Sequence, residues 1–238
     1  MDWQTLTAAL FPLGHQVTED AAFLSGTAQV GAQTVAVIGT TEHTPIGVEI
    51  ALAQAQAVLT VVRDYPGRPI LILVDTQGQR LRHRDEMLGI NSYMAHLGKC
   101  IELARQCGHK IIALVYDQAL SGGFITSGLM ADACYALPES TIRVMGLPAM
   151  ARITKVPEAR LIELAKDNPV FAPGPENYLR MGGLHAIWHD DLAAKLIDAF
   201  ATADPIDRRN ALGAERGGRK MALPVVDAVL KDGRAAAA

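Results

Sequence analysis

A run of apolar residues that passes almost directly into two glycines is the feature that most constrains this chain. Ile111 to Val115 is long enough for a buried strand, a turn ending in Ser121-Gly122-Gly123-Phe124 follows, and Ile125 to Asp132 has helical composition. Glycine takes positive φ without a Cβ penalty, so the segment predicts strand, tight turn and helix. Backbone N–H groups in the first turn of a helix have no internal partner. With no side chain at Gly122 or Gly123, an oxygen can approach the amides of Gly122, Gly123 and Phe124 and be held there as it becomes negative. Two glycines can also simply turn a chain. What favours the first use is the buried strand feeding a helix, which puts these amides at a sheet edge, where α/β folds keep their ligands.

The same pattern occurs earlier. Arg68 to Asp75 is a second apolar strand and runs into the turn Asp75-Thr76-Gln77-Gly78-Gln79. Before it, Ala22 to Val30 and Thr34 to Gly39 read as a hairpin joined through Gly31-Ala32, its second strand apolar on both faces. Ile46 to Asp64 reads as a long helix closed by Pro66-Gly67, and Glu86 to Cys107 as another. Trp3 to Leu10 is a short amphipathic piece. Past the central turn, Ala133 to Leu137 and Thr141 to Met145 read as strands and a helical region starts at Pro148. Glu158 to Lys166 is an amphipathic helix, broken over Pro169 to Pro175. Asn177 to Met181, His185 to His189 and Leu192 to Phe200 read as helical. Residues 201–220, rich in Arg and Gly, read as an exposed loop, Leu223 to Leu230 as a short final helix, and Ala235 to Ala238 as a frayed end. The expected division is a domain over 1–200 and a charged loop with a short helix over 201–238.

Composition narrows the function. The 238 residues are 50% hydrophobic with a net charge of −3. That allows a substantial core, and the 22 Lys and Arg form no stripe of the kind nucleic acid requires. Cys100, Cys107 and Cys134 match no zinc or disulfide spacing and suggest a reducing compartment. The N-terminus lacks the features of a signal peptide, and no apolar run approaches the roughly 20 residues of a membrane span, so a cytoplasmic location is expected. Arg80, Arg82 and Arg84 either face an anionic group or stand in a solvated loop.

Two strand-turn elements separated by a long helix resemble the crotonase-like superfamily, in particular acyl-CoA carboxyltransferase domains. Asp75-Thr-Gln-Gly78 resembles that family's Asp-Thr-Pro-Gly turn, with Gln77 departing from the Pro; Glu86-Met-Leu-Gly-Ile90 and Ser121-Gly-Gly-Phe124 resemble its next helix entry and its oxyanion turn. More closely, Ser121 to Asp132 with Ile142-Arg-Val-Met-Gly-Leu-Pro-Ala-Met150 is similar to gamma subunits of biotin-independent malonate decarboxylase. The resemblance spans roughly residues 20–200. It implies an α/β chain with the crotonase-like ββα spiral and a helical C-terminal region. It also implies a carboxy-lyase subunit that pairs with a beta subunit, in an assembly with an alpha transferase subunit and an acyl carrier protein. The substrate would be a malonyl thioester on the CoA-like prosthetic group of that carrier. No biotin and no directly bound cofactor are implied. By the same resemblance Thr76, Gln77, Gly78 and Ser121 contact substrate, and Gly122, Gly123 and Phe124 stabilise the enolate. Tyr116, beside the turn, and His83, near the other one, are the candidate proton donors, although a phenol or imidazole close to a turn more often satisfies local backbone groups, and the second subunit is the alternative source of the proton. A side chain on Gly123 is expected to block the donors without disturbing the fold.

Other readings compete. Ala119-Leu-Ser121-Gly-Gly123 is one residue from a nucleophile elbow, and Asp167, His185 and His189 lie downstream, so a serine hydrolase or thioesterase using Ser121 is available. His185 and His189 would share a helix face, but no third ligand stands out and no metal is expected. A third reading is a non-catalytic structural subunit whose partner holds the reacting groups.

Overall fold

The structure, a computed structural model, describes residues 1–166, 174–218 and 222–236. Its elements in chain order are α1 (Trp3–Leu10), β1 (Thr18–Asp20), β2 (Phe23–Val30), β3 (Gln33–Thr40), α2 (Val48–Asp64), β4 (Ile70–Thr76), α3 (His83–Met87), α4 (Ile90–Gln106), β5 (Ile111–Leu120) and α5 (Ser121–Ser127). There follow β6 (Ala133–Ala136), β7 (Thr141–Arg143), α6 (Leu147–Thr154), α7 (Glu158–Ala165), α8 (Pro175–Arg180), β8 (Ala186–Ile187), α9 (Leu192–Thr202), α10 (Arg209–Glu215) and α11 (Ala222–Ala236).

One sheet organises them, in the order β1-β2-β3-β4-β5-β6-β8, with β7 also pairing β5. β1, β2 and β3 are antiparallel; from β3 onward the pairs are parallel. Parallel strands need a crossover, and helices laid on both faces bury them completely. Alternation sorts the side chains. Ala36, Ile38, Ile72, Val74, Ala113 and Val115 pack against Val58 of α2, Leu97 and Ile101 of α4 and Phe124 of α5. Val35, Val37, Leu71, Leu73, Ile112, Leu114 and Tyr116 pack against Leu6 and Leu10 of α1 and Leu196 and Phe200 of α9. The second hairpin strand is buried on both faces, as its sequence predicts.

Several boundaries differ from the sequence reading, each for a physical reason. The helical stretch from Glu86 is two helices, because Gly89 adopts φ 76° and splits α3 from α4. β5 continues to Leu120, since its last residues pair with β7. His185 to His189 is not helical: Ala186 and Ile187 pair with Tyr135 and Ala136, extending the sheet past β6. The expected loop over 201–220 contains α10. It is anchored where Arg216 donates to the carbonyls of Leu179, Leu184 and His185 at 2.7–2.9 Å. The final helix is longer than Leu223 to Leu230. The break over Pro169 to Pro175 lies outside the described residues except for Gly174 and Pro175, as do Ala237 and Ala238.

Candidate functional site

Both turns singled out in the sequence lie at the carboxyl ends of β4 and β5, and they touch. At the first, the buried Thr76 hydroxyl donates to the Thr44 carbonyl at 2.7 Å and accepts the Gly78 N–H at 2.9 Å. The Gln77 N–H donates to the His43 carbonyl at 3.2 Å, and the Gly78 carbonyl accepts the Ile46 N–H at 2.7 Å. Thr76 and Gly78 therefore build the turn, and the exposed Gln77 side chain extends from it.

At the second, Ser121 is the pivot. It follows β5 directly, at φ 52°, a left-handed conformation uncommon for a residue with a side chain. α5 then begins, with Leu120 in the N-cap position. In that frame the N–H groups of Ser121, Gly122 and Gly123 precede the first intrahelical bond, whereas Phe124 occupies the position where that bond closes. The Phe124 ring is buried and meets Tyr178 edge-on at 5.9 Å.

The two glycines are not equivalent. A Cβ on Gly123 would lie 3.0 Å from the Gly78 Cα and 3.0 Å from Ile46 Cγ1, so its missing side chain lets the two turns pack. A Cβ on Gly122 would meet only Gln79 Oε1, at 3.9 Å. The open approach to the amides is over Gly122. The expectation that Gly123 could carry a side chain without disturbing the fold is corrected accordingly.

A polar clamp that the sequence did not reveal fixes both strand ends. Asp75, buried at 3% exposure, accepts the His43 N–H at 2.8 Å and the Gln118 N–H at 3.2 Å. Burial pushes its carboxyl above the ordinary range, against the pull of those amides and of His43, while Asp117 adds to the rise. The His43 imidazole lies 3.1 Å from Asp117 and 3.6 Å from Asp75. Among the described residues, these three converge most like a metal-ligand set, with ligand atoms within 4.8 Å of one another. Both Asp75 oxygens are already engaged by backbone N–H groups.

Other candidates are not brought to the turns. Tyr116 belongs to the cluster on the α1 and α9 face, opposite α5, and its hydroxyl donates to the Thr40 carbonyl at 2.9 Å. Burial holds its phenol well above the usual range. The proton-donor expectation for Tyr116 is thus corrected to a structural role. Arg82 pairs with buried Asp85 at 2.8 Å and Arg84 pairs with Glu49, so two of the three clustered arginines answer local acids. His83 is exposed at the start of α3.

For His185 the nucleophile reading fails on distance. His185 Nδ1 accepts the Cys134 N–H at 3.2 Å, and Cys134 is in register with Ala113. Ser121 lies eight residues further along a strand whose bulge takes up two of them, which leaves roughly 20 Å at strand rise. Burial, then Arg216 and Arg209, hold the His185 imidazole below its ordinary pKa. His189 lies beyond β8, and His185 and His189 share no helix face; Asp167 lies outside the described residues.

The comparisons with known proteins agree on one family. A family model described as malonate decarboxylase gamma subunit matches residues 41–233. A Malonomonas rubra protein named malonyl-S-ACP:biotin-protein carboxyltransferase MADD is 33% identical over 227 residues, 82% of this chain and 78% of that protein. A solved Pseudomonas malonate decarboxylase MdcD-MdcE hetero-dimer is similar at a TM-score of 0.76 and 25% identity, over 95% of this chain and 97% of that one. Transcarboxylase 12S shares the fold at a TM-score of 0.73 and 20% identity, over 85% of this chain and 41% of that one. The α/β architecture is that of carboxyltransferases, as the two strand-turn elements imply.

Proposed function

Because this chain belongs to the malonate decarboxylase gamma-subunit family, we propose that its glycine turn stabilises the enolate formed when a malonyl thioester loses CO2, in a site completed by a beta subunit. The carboxyl C–C bond breaks, its electron pair moves through the α carbon onto the thioester oxygen, and neutral CO2 leaves. The amide N–H groups of Ser121, Gly122 and Gly123 are the donors available to that oxygen. Each such donor is worth about 2.7–4 kcal/mol of barrier. Protonation of the α carbon then gives acetyl thioester. With Tyr116 engaged elsewhere, the donors left are His83, exposed at the start of α3, and a group of the beta subunit.

The observation that carries this reading is the open approach at Gly122 beside the close packing of Gly123 on Gly78. It pairs an accessible donor with a rigid support, as electrostatic preorganisation requires. The carrier is an acyl carrier protein whose CoA-like prosthetic group bears the malonyl thioester, with an alpha transferase subunit in the same assembly.

A second reading follows from the name of the Malonomonas relative, which transfers the carboxyl group to a biotin protein. The same enolate forms in both, and the readings differ in the fate of CO2. The test gives malonyl thioester to this chain, alone and co-purified with its beta subunit, with and without a biotinylated acceptor. Acetyl thioester and CO2 formed only with the partner, independently of biotin, support decarboxylation. Carboxybiotin formed in step with acetyl thioester supports transfer. Free malonate and thiol released by the chain alone would overturn both in favour of a thioesterase.

A further inference from the structure

A cavity of about 690 Å³, within the range of small-molecule sites, is lined by residues of β7, α6, α7 and α8 together with Lys166 at the end of α7. Arg143, Lys166 and Arg180 contribute three cations to its lining, against the single carboxylate of Glu176, and Leu147 and Ile162 contribute apolar surface. Strand register sets its position relative to the glycine turn, since Arg143 pairs with Leu120, the residue before Ser121.

Among the described residues, the side chains of Arg143, Lys166 and Arg180 enter no ion pair and no hydrogen bond, and Arg143 Nε is buried without a partner. Like charges lining one cavity repel, and a buried donor left unpaired costs free energy. An anion in the cavity relieves both.

The chemistry of the reaction selects which anion. Decarboxylation turns a carboxylate into neutral CO2, so cations held on the malonyl carboxylate would stabilise the reactant more than the transition state. A phosphate keeps its charge throughout and can be bound without that penalty. We propose that Arg143, Lys166 and Arg180 hold phosphate groups of the CoA-like arm that delivers the malonyl thioester to the glycine turn. This assignment rests on the decarboxylase reading.

The test uses the complex with the beta subunit and two substrates, malonyl-CoA and malonyl-pantetheine, the second lacking the nucleotide phosphates. Arg143→Gln, and separately the double variant Lys166→Gln with Arg180→Gln, are expected to raise KM for malonyl-CoA at least tenfold more than KM for malonyl-pantetheine. Equal effects on both substrates, or no effect on either, would overturn the proposal. Equal effects would place the malonyl carboxylate in the cavity instead. If the wild-type complex decarboxylates neither these substrates nor the malonyl thioester on its carrier protein, the functional reading fails, and calorimetric titration of CoA against pantetheine decides the site alone. Tighter binding of CoA that is lost in the variants supports the phosphate site; unchanged CoA binding overturns it.

Discussion

Gly122 and Gly123 stand next to each other with opposite tasks, one leaving an amide accessible and the other letting two backbones meet. Gly122→Val is therefore the informative substitution. It is expected to lower kcat by at least about 100-fold, the loss typical of one oxyanion donor, while thermal unfolding and co-purification with the beta subunit stay unchanged. Gly78→Ala should behave differently. At φ 93°, with a Cβ 2.7 Å from the Leu120 carbonyl oxygen, it damages the fold before it reaches the chemistry. Tyr116→Phe separates the structural reading of that residue from the catalytic one. Losing the hydroxyl from the Thr40 carbonyl should cost about 1–2 kcal/mol in denaturant unfolding and leave kcat in place. A kcat that collapses with stability intact would restore Tyr116 as a donor. The cysteines are free, and burial pushes the Cys134 thiol up to about 12, which leaves it inert at neutral pH.

At the scale of elements, the segment between β4 and α4 is tied down by one buried carboxylate. α2 begins at Gly47, which offers no capping side chain, and Asp85 supplies the missing acceptor from α3 by taking the Val48 N–H at 3.2 Å. Burial works against the ionised form of Asp85, but the Val48 amide and the Arg82 and Arg80 cations outweigh it and hold its pKa below the ordinary value. Asp85→Ala is expected to lower Tm and to speed amide exchange at Val48. Arg82→Gln, which removes a half-exposed partner, should lower Tm less. Equal exchange at Val48 in the wild type and in Asp85→Ala would exclude the cap. Because the β4 turn leads directly into this segment, the cap also steadies the approach to Gly78.

At the scale of the molecule, α9 and β8 join the core and the sheet, whereas α10 is attached through arginines. Arg216 reaches three carbonyls, and Arg209 donates to the Leu129 carbonyl and pairs with Asp207 at 2.6 Å. Arg216→Ala leaves those carbonyls without their charged donor and is expected to cost about 1.5–3 kcal/mol of unfolding free energy. If urea unfolding shows no change, α10 is held by its packing alone. Among the described residues no helix is long and apolar enough to cross a membrane.

What the sequence by itself determined is what depends on neighbours along the chain. The apolar runs of β4 and β5 could only be buried strands, and the glycines after them could only mark tight turns. Those turns carried a resemblance specific enough to name the family that the comparisons then supported. Tertiary structure decided everything that depends on distant partners. Tyr116 reads as adjacent to the turn, yet strand alternation carries its ring to the opposite face. Ser121 and His185 read as a possible pair, yet parallel register sets them far apart. Asp85 caps a helix that begins 37 residues before it, and Ala186 becomes strand only because Tyr135 offers an unpaired edge. Periodicity and φ preferences are local and legible in one dimension, whereas the face a side chain takes and the partner it meets exist only once the sheet has formed.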